Sequence, residues 1–256
     1  MARSLAFIEI SELNQRGSLY LPEIAEAITN RYGFISHPRV AKDFDLSEAV
    51  EFRSGRSMEQ VSIQRLAIWG GTILLETQVT TETSRSILLE MLFWLRDEFG
   101  ATFTESQVRR WASISQVLFK TDFPILAEFS RPLEKLAQRT NAVVSQIFGE
   151  EMGYRSQQIQ IGHDPTARKN GVAGFQIQHR GQIPYKDNRY YSEAPLPTDI
   201  HWELLEEFER NVLEERGEPS KGTLRHIASA GAPQDATEFD LDKARRRKIR
   251  LRNPTA

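Results

Sequence analysis

Residues 61–79, VSIQRLAIWGGTILLETQV, constrain the fold more than any other stretch, because two apolar, partly β-branched runs flank a Gly70-Gly71 dipeptide. Two glycines can take the positive backbone angles that a two-residue primed hairpin turn requires. A turn at that point fixes the register. Trp69 falls opposite Thr72, Ile68 opposite Ile73 and Leu66 opposite Leu75, while Ala67 meets Leu74 and Arg65 meets Glu76. A slip of one residue would break both the apolar pairs and the charge pair, so the pattern predicts an antiparallel hairpin in this register.

The following segment, TTETSRSILLEMLFWLRDEFG, has helical spacing, with Thr81, Thr83 or Ser84 as candidate N-caps and Gly100 as its stop. Ile87, Leu88, Met91, Leu92 and Leu95 form an inner stripe. Leu89, Phe93 and Trp94 widen it beyond a one-sided amphipathic face, which requires cover from the rest of the chain or from a second subunit. LPEIAEAITNRYG reads as a helix begun by Pro22 and ended by Gly33, with Leu21, Ile24, Ile28 and Tyr32 on one side. FTESQVRRW opens with Thr104 three residues before Gln107, the spacing of a capping box at a helix start. From Phe129 through Leu133, Leu136, Thr140, Val143, Val144 and Ile147 runs a further amphipathic helix that closes at Gly149. Ile200, Leu204, Phe208 and Val212 line the last, with Glu203, Glu206, Glu207 and Glu209 left for solvent.

Strand patterns occur at LAFIEI, AVEFR and ISQVLFK, and a second hairpin runs from QQIQI to VAGFQIQH. The expected fold class is α+β, a mostly antiparallel sheet with packed amphipathic helices. Strand, helix, hairpin and helix recur from about residue 113, an order compatible with a duplicated βαββα unit in halves 1–112 and 113–215, although no residue-level self-similarity accompanies it. The body is thus expected to span 1–215. From Arg216 onward Gly, Pro, Ser, Ala and charge mix without an apolar period, predicting a linker and an extended C-terminal arm over 216–256.

Charge and composition narrow the partners. The chain has 33 basic and 35 acidic side chains, so its net charge of -2 sets up no global attraction to nucleic acid or to a membrane. The absence of cysteine excludes disulfides, thiolate nucleophiles and cysteine-ligated metal centres, and suits a reducing compartment. The N-terminal residues lack the apolar run of a secretory signal, and the greasiest stretch, Ile87 to Leu95, is interrupted by Glu90 and far too short to span a bilayer. A soluble, cytoplasmic protein without a membrane partner is expected.

Three places carry chemical character. Lys243 to Arg252 holds seven basic side chains and no acid, and Arg245, Arg246, Arg247, Lys248, Arg250 and Arg252 could grip phosphates through counterion release. Ile249 and Leu251 alternate with these cations, which also suits a strand added to another sheet's edge. The second place is the aromatic loop before the last helix, where Tyr185, Tyr190 and Tyr191 lie among Lys186 and Arg189. Arg189, Tyr190 and Tyr191 could stack a base or a partner's side chain; the packing alternative makes the tyrosines a cover over the helix entrance. The third is GHDPTARKNG, in which His163 and Asp164 are candidate catalytic groups and Arg168 and Lys169 candidate anion ligands, weighed against an ordinary polar connection between strands. The His163-Asp164 pair is similar to the metal-binding pair of HD-type phosphohydrolases, but that family is helical and its further ligands are not matched.

No two histidines share metal-ligand spacing on one element, and the phosphate-loop, dinucleotide, HExxH and G-x-S-x-G patterns do not occur. The expectation is a non-catalytic interaction or assembly protein without cofactor or metal, forming a homo-oligomer or joining a complex. The alternatives are a nucleic-acid-binding module using the arm and the aromatic loop, and, third, a hydrolase of a phosphorylated compound.

Overall fold

The computed structural model describes residues 1–15, 17, 19–129, 131–150, 153–164, 166, 173–217 and 224–227. Its strands are β1 (Ala2–Phe7), β2 (Val50–Arg56), β3 (Ser62–Trp69), β4 (Thr72–Thr77), β5 (Arg110–Lys120), β6 (Gln158–Ile161), β7 (Phe175–His179), β8 (Arg189–Ala194) and β9 (Arg225–His226). They form one sheet in the order β2-β3-β4-β1-β5-β8-β7-β6, with β9 beside the end of β5, and every pairing is antiparallel. The α+β class with an antiparallel sheet is therefore the observed one. Among the described residues no helix is long and apolar enough to cross a membrane.

The β3–β4 hairpin has the register read from its sequence, from Trp69 opposite Thr72 to Arg65 opposite Glu76, with an irregularity between Ile63 and Arg65. Its turn differs from expectation: neither Gly70 nor Gly71 has a positive φ. Distant backbone shapes it instead. Gly70 N–H donates to the Leu46 carbonyl at 3.0 Å, and the Gly70 and Gly71 carbonyls accept from Ile10 and Ile8 at 2.8 and 3.2 Å.

The long helices are α2 (Leu21–Tyr32), α3 (Thr81–Phe99), α5 (Arg131–Phe148) and α6 (Thr198–Glu215), with two short ones, α1 (Ile10–Leu13) and α4 (Ile125–Phe129). Helix α3 is capped one residue earlier than expected, by Thr80, whose hydroxyl accepts from Thr83 N–H at 3.3 Å, and Gly100 ends it in the left-handed conformation at φ 74°. Its broad apolar face is covered by its own chain. Phe93 packs edge-on against Phe103 at 5.1 Å, and Trp94 meets Tyr32 of α2 at 6.3 Å with the Arg31 guanidinium over its ring. The segment from Thr104 forms only a 3-10 turn, Glu105–Gln107, in which the Gln107 amide accepts from Thr104 N–H at 2.7 Å. No helix follows, because Arg110 already pairs with Phe7 at the start of the central strand β5.

Two apolar clusters lie on one face of the sheet. Ile24, Ile28 and Tyr32 of α2 and Leu88, Met91 and Leu92 of α3 bury Phe52, Leu66 and Leu75 in the first half. In the second, Leu205, Val212 and Leu213 of α6 bury Val117, Phe119, Ile177 and Tyr190. Chain order and strand order repeat together. Counting only the long helices, each half runs βαβββα, one strand more than the expected βαββα, and the sheet reads the same from either edge when β1, β2, β3 and β4 are exchanged for β5, β6, β7 and β8.

Register makes the correspondence residue by residue. Ala2 pairs with Thr77 as Ser115 pairs with Ala194, and Ala2 and Ser115 also face each other, so the pseudo-two-fold axis passes through them. One step along, Arg3 Nε donates to Glu76 at 3.1 Å, and its counterpart Gln116 donates to Glu193 at 2.5 Å.

The body extends beyond the expected boundary at 215. Arg216 reaches the Glu128 carboxylate at 3.4 Å and lies over Phe123. Leu224 N–H donates to the buried Glu209 at 3.1 Å, and β9 then pairs with Phe119 and Lys120, giving a unit that spans Met1–His226.

Candidate interaction surface

Strand alternation separates the aromatic loop into two groups. Tyr190 points to the helix-covered face, is 2% exposed, and packs on Phe119 at 5.4 Å; burial pushes its phenol up to about 12. It has no ring face to offer a base, so the stacking role considered for it is replaced by the packing role. Tyr191 points to the opposite face, where it is half-buried and donates to Glu193 at 2.9 Å. Tyr185 leans on His179 at 4.5 Å and accepts from Gln157 at 2.8 Å.

Arg189 lies on the same outer face as Tyr191, directly opposite Lys120, and Lys120 is directly opposite Arg225 of β9. Cross-strand partners share a face, so Arg189, Lys120 and Arg225 form a row of three cations. Asp122 approaches Arg225 at 3.5 Å. Arg225 and Lys120 carried no functional signal in the sequence; only the docking of β9 on β5 brings them beside Arg189. The arm residues Arg245, Arg246, Arg247, Lys248, Arg250 and Arg252 lie outside the described residues.

In the 162–171 loop, His163 and Asp164 are exposed. The Asp164 carboxylate accepts from Thr166 N–H at 2.8 Å and from its hydroxyl at 2.6 Å, and His163 Nδ1 lies 3.2 Å from the Asp164 carbonyl. These are the bonds of a tight polar turn. Arg168 and Lys169 lie outside the described residues.

The most perturbed histidine is His201, and it is sealed. His201, Ser115 and Ser192 are each 0% exposed. Ser192 donates to the Gln176 carbonyl at 2.8 Å, so its oxygen receives the His201 Nε2 proton at 2.8 Å, and Nδ1 accepts from Ser115 at 2.5 Å. Every polar atom of the neutral ring is satisfied. Burial holds its pKa down at about 4, against a smaller upward pull from Glu193. A serine–histidine contact suggests a nucleophile. Here neither serine can meet a substrate, and the trio joins β5, β8 and α6. Among the described residues no group of His, Asp and Glu is placed to hold a metal ion.

Among the described residues, packing leaves a run of apolar side chains open on α5. Leu133, Leu136, Val143, Ile147 and Phe148 are 54, 62, 50, 68 and 66% exposed. Ala137, Asn141 and Val144, on a neighbouring face, are half-buried, and Asn141 both accepts from Tyr154 N–H at 2.6 Å and donates to its carbonyl at 3.2 Å. Thus α5 is held through its Ala137–Asn141–Val144 side and turns its apolar stripe outward. Its counterpart in the first half, α2, buries Ile24, Ile28 and Tyr32. An apolar stripe left uncovered on a folded chain is a candidate contact surface. No known family model and no curated protein sequence matches this chain.

Proposed function

We propose that this protein is a non-catalytic interaction or assembly protein of the cytoplasm whose principal binding element is α5. The observation that carries the reading is the outward stripe of Leu133, Leu136, Val143 and Ile147, each at least half exposed on a helix whose first-half counterpart is buried. The broad face of α3, the other reason to expect a subunit contact, is already satisfied within the chain. Affinity purification of the full-length protein and of a Leu136→Lys, Val143→Lys variant from the native cell tests it. Partners, including further copies of the chain, are expected with the wild type and lost with the variant. Identical recoveries from both would overturn it.

A second reading, nucleic-acid binding, is favoured by the row Arg189, Lys120 and Arg225 with Tyr191 on the same face. The cationic arm would add phosphate contacts. Oligonucleotide affinity across a salt series should fall with a slope set by the number of phosphates neutralised. A flat response would dismiss it.

A further inference from the structure

We infer that α5 pairs with α5 of a second copy of this chain, antiparallel, about a two-fold axis at Thr140. This rests on the interaction reading above and names its partner. The outward residues Leu133, Leu136, Val143 and Ile147, with the half-buried Thr140 at the edge of the stripe between them, are spaced alternately by three and four. A helix that packs on a sheet needs a wider apolar face; a strict 3-4 repeat is the narrow seam that fits another helix. The seam is also separate from the face that holds α5 to its own body, so pairing requires no rearrangement of Ala137, Asn141 or Val144.

Thr140, the polar member, fits the centre of such a seam. Its hydroxyl donates to the Leu136 carbonyl at 2.9 Å, so the hydrogen bond is made within the helix and burial strands no donor. Antiparallel packing then sets Leu133 of one copy near Ile147 of the other and Leu136 near Val143. Charge favours the same direction. An axis at Thr140 sets residues 131–135 of one copy, with Arg131 and Lys135 against one acid, Glu134, beside residues 145–149 of the other, where the helix has its negative pole and Glu150 follows.

The area is adequate for a reversible dimer. Covering the exposed parts of these side chains would remove roughly 500 Å² from each copy, about 1,000 Å² in all, at the lower limit of specific interfaces. Because a two-fold contact is self-complementary, no second surface is required.

The chain has no cysteine, so single cysteines report the geometry directly in the full-length protein. Thr140→Cys should crosslink to itself under mild oxidation. Leu133→Cys and Ile147→Cys should each fail to do so alone and crosslink when mixed. Analytical ultracentrifugation should show wild-type chain rising to twice its monomer mass with concentration, and Leu136→Glu, Val143→Glu weakening association by about tenfold or more, with far-ultraviolet circular dichroism unchanged.

Self-crosslinking of Leu133→Cys would overturn the antiparallel arrangement. A wild type that stays monomeric at all attainable concentrations, or a dimer indifferent to the glutamates, would overturn the self-pairing. If the monomer still captures a different protein through α5, as judged by its loss in the Leu136→Lys, Val143→Lys variant, the interaction reading stands and only the second copy is wrong. Failure of both fells both.

Discussion

Thr81 and Thr198, the first residues of α3 and α6, cap each other: Thr81 N–H donates to Thr198 Oγ1 at 3.0 Å, and Thr198 N–H donates to Thr81 Oγ1 at 2.8 Å. The first amide groups of a helix have no partner inside it. Here two helices related by the pseudo-two-fold axis each satisfy one for the other. Thr198→Val keeps the side-chain shape, removes the acceptor and leaves the buried Thr81 amide unpaired, for an expected loss of about 1–2 kcal/mol in urea unfolding. Thr81→Val should cost about the same. Because the two hydroxyls also touch at 3.2 Å, the double variant should lose less than the two singles together. Strict additivity would show that the caps are independent.

Acid should weaken the fold through His201. Its pKa of about 4 lies below the unfolded value of 6.5, so between these limits the unfolded chain holds the extra proton. The stabilisation is fully present above the unfolded pKa and is lost as pH falls from 6.5 toward 4, with a ceiling of about 3 kcal/mol. Carboxylates titrate near the bottom of this window, so the diagnostic quantity is a difference. Between pH 7 and pH 5, the urea midpoint of wild type should fall more than that of His201→Gln. Parallel midpoints would mean that His201 is protonated in the folded protein.

What could be read in advance follows the range of the forces involved. The β3–β4 register was legible because Ile68, Ile73, Leu66 and Leu75 lie within one hairpin, whereas the turn geometry depends on Leu46, Ile8 and Ile10, which nothing local announces. Thr104 and Gln107 do form the local bond of a helix start, but pairing with β1 claims the residues that would have continued the helix. Tyr190 and Tyr191 looked equivalent until strand alternation sent one inward and the other outward. For α5 the stripe was visible and its direction was not, since a periodic pattern says that a face needs cover without saying what supplies it. The two halves share strand order and interaction positions, such as Arg3–Glu76 and Gln116–Glu193, rather than residue identities, so no sequence repeat shows.

Gly55 should tolerate no side chain. A Cβ there would stand 2.6 Å from the Phe34 ring and 3.0 Å from the Tyr32 carbonyl, and Phe34 is itself buried against Phe52 at 5.4 Å. Gly55→Ala must displace the ring or bend β2 away from α2, at a cost of about 1–3 kcal/mol. Gly181, whose Cβ would meet nothing within 4 Å and whose φ is not positive, is the control. Equal thermal midpoints for Gly55→Ala and Gly181→Ala would mean that Phe34 moves aside freely.

The row Arg189, Lys120, Arg225 sets like charges directly opposite one another across three strands, an arrangement that costs stability and that Asp122, 3.5 Å from Arg225, relieves only at one end. Lys120→Glu should therefore stabilise the free protein, by about half a kcal/mol or less at low salt, with the gain vanishing at about 1 M salt as screening shortens the reach of the charges. The same substitution should weaken any binding of oligonucleotides at this face, because it inverts the central charge of the row. Stability and binding thus move in opposite directions if the row is a site. If Lys120→Glu raises the thermal midpoint while oligonucleotide affinity and its salt slope stay unchanged, the row is only a local electrostatic strain and the nucleic-acid reading loses the observation that favours it.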